Sequence, residues 1–65
     1  MADTTDIQIE HVGSDTFRIT PISERGVLWM NQNAGGSGSY IHQDAIETRI
    51  IVRNATAMGL KVRVL

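Results

Sequence analysis

The residues best equipped for chemistry are two histidines and a neighbouring carboxylate: His11, His42 and Asp44. A transition metal would choose such donors, provided neutral imidazoles and a carboxylate converge on one point. Their spacing does not favour it. The histidines form neither an HxxxH nor an HExxH pattern, and surface or half-buried histidines explain them as well. No metal and no cofactor are assigned. The stretch Asn33 to Ser39 (NAGGSGS) is glycine-rich and precedes a segment of helical period, and a helix N-terminus attracts anions. It lacks the Lys-Ser/Thr ending of a Walker loop and does not match GxGxxG, so it reads as a flexible connector. Ser and Thr are plentiful, but none lies in a GxSxG elbow or beside an evident base. Asp44 and Glu47 lie one turn apart, where helix capping and the helix dipole account for both. The expectation is a chain that is not an enzyme and has no small-molecule substrate.

Two groups of side chains remain as candidates for contact with a partner. Arg49 and Arg53 are spaced i, i+4 and share a helix flank, while Lys61 and Arg63 share one face of an alternating segment. Should those surfaces adjoin, four cations would face phosphates or an acidic partner. A solvated flank and a charge-protected edge strand explain the same residues. Ile46, Ile50 and Ala57 form the second group, because they fall opposite the apolar arc that a helix here would bury. Leu28 and Met30 join them: with Trp29 turned inward from a strand, its two neighbours would point to the open side of the sheet. Exposed apolar side chains clustered in this way mark interaction sites.

Size and composition frame these candidates. Sixty-five residues make one small domain without cysteine, so disulfides and most zinc-site types are excluded and self-association is the main remaining route to extra stability. The net charge of −1 rules out a generic polyanion binder, although its distribution is uneven. Residues 1–32 hold two cations against five anions, and residues 33–65 hold four against two. Neither a long apolar run nor a basic leader followed by an apolar one is seen, so a cytoplasmic location is expected.

The elements that must position these residues follow from hydrophobic period. Residues 1–6 are polar and are expected to form a loose terminus. Ile7 to Val12 (IQIEHV) alternates as a strand; Gly13-Ser14-Asp15 is a turn cluster; and Thr16 to Ser23 alternates again, with Pro21 marking an edge or the strand's end. Ser23 to Gly26 reads as a second tight turn, with Gly26 in the left-handed conformation. Val27 to Met30 (VLWM) then reads as a third, buried strand. From about Tyr40 the period becomes helical, with Ile41, Ala45, Thr48, Ile51, Val52, Ala55 and Met58 on one arc and Gly59 following as a C′ cap. Leu60 to Leu65 alternates as a final strand.

These elements predict an α+β, two-layer domain of order β-β-β-α-β. It has an antiparallel three-stranded meander, one helix on the sheet and a C-terminal strand added in parallel beside strand one or three. The competing reading is all-β, with Thr48 to Asn54 (TRIIVRN) as a strand. The expected function is a non-enzymatic interaction module acting as a homodimer or on another protein. The alternative is a nucleic-acid-binding accessory protein using the C-terminal basic residues.

Overall fold

The computed structural model describes residues 4–35 and 38–65. Along the chain run β1 (Ile7–Gly13), β2 (Thr16–Pro21), α1 (Glu24–Asn33), β3 (Ile41–Gln43), α2 (Ala45–Ala57) and β4 (Val62–Val64). The fold is α+β, built on a four-stranded mixed sheet of order β3-β2-β1-β4. β1 pairs antiparallel with β2, β2 antiparallel with β3, and β4 lies parallel to β1. The C-terminal strand therefore adds in parallel beside strand one.

Register decides which side chains meet the helices, because alternate residues of a strand point to opposite faces and directly paired residues share a face. Ile9 pairs with both Ile19 and Val64, Ile7 with Pro21 and Val62, and Ile19 with Ile41. That row of apolar residues forms the covered face. Ile7, Ile9 and Ile19 make one cluster with Met30 of α1, Ile51 and Ala55 of α2, and Leu60. Since all three sheet isoleucines point the same way, both helices bring their buried residues to one side. The opposite face carries Gln8, Glu10, Arg18, Thr20, His42 and Arg63, an almost wholly polar set.

Four expectations are corrected at the level of elements. Val27 to Met30 is not a strand but the middle of α1, and it is not buried on both sides: Met30 is fully buried, Leu28 is exposed. Ser23, expected in a turn, is the N-cap of that helix, its hydroxyl accepting from the Gly26 N–H at 3.0 Å, with Glu24 in the first turn. An apolar run of four fans around a helix, so it covers the core with one member and leaves another outside. The third strand is instead Ile41–Gln43, which the helical arc had claimed in part. The second helix begins later, at Ala45, where the Asp44 carboxylate accepts from the Glu47 N–H at 2.8 Å. The all-β alternative is overturned as well, since Thr48 to Asn54 lies inside α2. There Thr48, Ile51 and Ala55 are buried at helical spacing. That spacing outweighs the β-propensity of the Ile-Ile-Val run.

Two glycines have definite work. Gly59 adopts φ +84°, the left-handed turn expected after the second helix, and lets the Leu60 N–H return to the Ala55 carbonyl at 3.0 Å. Gly26 is not left-handed. It sits in the first turns of α1 against β1, where a Cβ would lie 2.9 Å from the Asp6 carbonyl carbon and closer still to its oxygen. Only glycine allows so close an approach. Of the loose terminus and the flexible connector, residues 1–3 and 36–37 lie outside the described residues. Thr5 and Asp6, however, are buried rather than loose.

Candidate interaction surfaces

Asp6 ties together three segments that are far apart in sequence. Its carboxylate accepts the Ser23 hydroxyl through Oδ1, and the Lys61 N–H (2.8 Å) and an Arg25 N–H (3.3 Å) through Oδ2. Its backbone N–H donates to the Lys61 carbonyl at 2.8 Å, and its carbonyl accepts from the Ile22 N–H at 2.8 Å. The start of β1, the cap of α1 and the entry to β4 are thereby fixed at one point. The Lys61 backbone N–H, the Ser23 hydroxyl and the Arg25 charge hold the carboxyl below its ordinary range, against the opposing effect of burial.

Arg25 extends this junction outward. Its Nη2 also donates to the Gly59 carbonyl at 2.8 Å, bridging α1 to the turn that ends α2. Between those two elements lies an open groove of about 320 Å³. Arg25, Leu28, Trp29 and Gln32 of α1 form one wall, and Met58 and Leu60 form the other. The first wall follows from helical geometry, since residues three and four apart share a face. Leu60 is buried at the base, while Leu28 is 55% and Met58 70% exposed.

The outward side of α2 carries the predicted apolar strip. Ile46 is 72% and Ile50 41% exposed, and Ala57 is exposed on the same side, opposite the buried stripe of Thr48, Ile51 and Ala55. Leu28 is exposed on the other helix. Met30 does not belong with them: at 0% exposure it is a core residue, because Val27 to Met30 is helical and its inward position falls at residue 30.

The predicted basic residues are divided rather than gathered. Arg49 and Arg53 are exposed on the helix that covers one side of the sheet. Arg63 pairs with Gln8 and so projects from the opposite, polar face. Lys61 is drawn toward the Asp6 junction, donating from Nζ to the Thr4 hydroxyl at 3.1 Å. The histidines are likewise separated by the sheet. His11 stacks on Phe17 at 4.7 Å on the covered side, and His42 lies beside Tyr40 at 5.2 Å on the other. On that polar face Arg18 pairs with Glu10 at 3.4 Å and places its guanidinium 5.4 Å from the Tyr40 ring. Among the described residues, no group of three His, Cys, Asp or Glu side chains is placed to hold a metal ion. No helix among them is long and apolar enough to cross a membrane.

No family model, curated protein or solved structure matches the chain. Any functional reading therefore rests on these surfaces. The groove residues Arg25 and Trp29 were missed because, with Val27 to Met30 taken as a strand, no helix face joins Arg25 to Leu28, Trp29 and Gln32; Met58 was missed because it was expected on the buried arc, whereas it caps α2 and is 70% exposed. The Ser23 cap followed by Glu24 was the available signal.

Proposed function

We propose that the chain is a non-enzymatic interaction module that self-associates as a homodimer through the outer surface of its helical layer. The supporting observation is an inverted surface. The helical layer, which covers the core, exposes Ile46 and Ile50 along the outward side of α2, while the uncovered sheet face is polar. In a two-layer domain without a partner the outward helix positions are the natural place for charge. Large apolar side chains at those positions are the composition of a contact surface. A small core adds a motive, since a chain of this size leaves stability to be gained by burying more apolar surface.

Sedimentation equilibrium between 1 and 100 μM tests this reading, with Ile46→Glu and Ile50→Glu as the paired control. The expected result is a dimer that both substitutions convert to a folded monomer. A wild-type chain that stays monomeric at 100 μM removes the homodimer. The basic residues support a nucleic-acid reading less well, because the sheet separates Arg63 from Arg49 and Arg53.

A further inference from the structure

We infer that the groove between α1 and the end of α2 is a second docking site, separate from the self-association surface, that receives a peptide segment of another protein. In that segment a large apolar side chain stands beside an Asp or Glu. The lining has the residue types that dominate binding energy at protein interfaces, Trp, Met and Arg together with Leu. A volume of about 320 Å³ is at the small end of ligand sites and suits one or two large side chains rather than an enclosed cofactor.

Charge complementarity selects the acidic neighbour. Among the described residues, Arg25 is the one ionisable side chain lining the groove. Asp6 and the Gly59 carbonyl hold its guanidinium in place, both through Nη2; among the described residues no hydrogen bond engages Nη1 or Nε, and those donors can meet a carboxylate. Its side chain is 64% exposed, so an incoming carboxylate can reach it. A guanidinium already fixed at one end loses less freedom on binding than a mobile one. Leu60, buried, lines the groove beside Met58, and Gly59 makes the left-handed turn between them.

Trp29 is the chain's one tryptophan and lines the groove, so occupancy can be read directly from its emission. The experiment selects peptides from a random twelve-residue phage library on the immobilised intact chain, then titrates synthetic copies of the winners while following Trp29 fluorescence. The expected result is enrichment of Leu, Ile, Phe or Trp next to Asp or Glu, with a blue shift of Trp29 that saturates. Met58→Glu, at an exposed position outside the core, should weaken binding at least tenfold while circular dichroism stays unchanged. Arg25→Gln should remove the preference for the acidic residue and the salt dependence. Because Arg25 also braces the Asp6 junction, Met58→Glu is the variant that keeps the test independent of folding. The inference is overturned by no enriched peptide, by winners lacking either the apolar or the acidic residue, or by binding indifferent to Met58→Glu. Titration of decanoate, or dilution of the chain alone, producing the same saturable Trp29 shift would assign the groove to a free amphiphile or to a second copy instead, and would equally overturn it. Ile46→Glu should leave peptide binding intact, which separates this result from failure of the homodimer.

Discussion

At the scale of single residues, Gly26 and Asp6 carry more of the fold than their types suggest. In a helix, Gly→Ala is ordinarily favourable by about 1 kcal/mol. Here the added methyl would collide with the Asp6 carbonyl, whose position is fixed by hydrogen bonds from Ile22 and Ser23. Gly26→Ala should therefore destabilise by about 3 kcal/mol, reversing the sign expected from propensity, and a urea titration measures it. A chain of this length has about 3 to 10 kcal/mol of stability in total, so that single methyl removes from about a third to all of it. Asp6 makes a pH prediction whose sign follows from its depressed pKa. A carboxyl held lower in the folded than in the unfolded state stabilises fully above its unfolded value, and this is lost as pH falls through the folded one. Stability should thus be flat near neutrality, begin to fall below about pH 5 and keep falling past the ordinary 3.8 of the group. Asp6→Asn should cost about 2 kcal/mol at pH 7 and flatten the acid limb of the curve. An unchanged acid limb in the variant would place the titration elsewhere.

At the scale of elements, legibility tracked how much of the period each segment displays by itself. The first two strands alternate over six residues and are joined by a Gly-Ser-Asp cluster, so the hairpin is readable within two residues of its ends. α2 is readable from its buried positions, although three β-branched residues in a row argue locally for a strand. The segment Ser23 to Met30 misleads because its signal is a cap and not a period: VLWM has no polar residue to reveal which side faces water. β3, at three residues, is too short to show any alternation, and it exists because β2 offers it an edge to pair with. Misplacing those two elements also misplaced the candidate site, turning Met30 into a surface residue and hiding the groove. The outer face of α2 was legible because Ile46 and Ile50 depart from a period that the rest of that helix obeys. Ile46→Glu should change monomer stability by less than about 0.5 kcal/mol, since the side chain is already mostly in water. Chemical denaturation at a concentration below dimerisation checks this, and a loss above 1.5 kcal/mol would mean the residue is structural.

At the scale of the whole molecule, the sheet acts as a partition. It separates a polar face from a helical layer, and every predicted apolar contact residue lies on the helical side, all but Met30 at its surface. Binding on that side should couple to folding, because anything that binds only the folded chain raises its apparent stability by mass action. For a homodimer the partner's concentration is the protein's own. A hundredfold increase should therefore raise the thermal midpoint by roughly 5 to 10 °C, given the small unfolding entropy of a chain this size. The Ile46→Glu, Ile50→Glu double variant should instead unfold at one temperature regardless of concentration. Differential scanning calorimetry across the same range distinguishes the two. If the midpoint of the unmodified chain does not move with concentration, the homodimer is excluded and the groove between α1 and α2 remains as the contact surface to test.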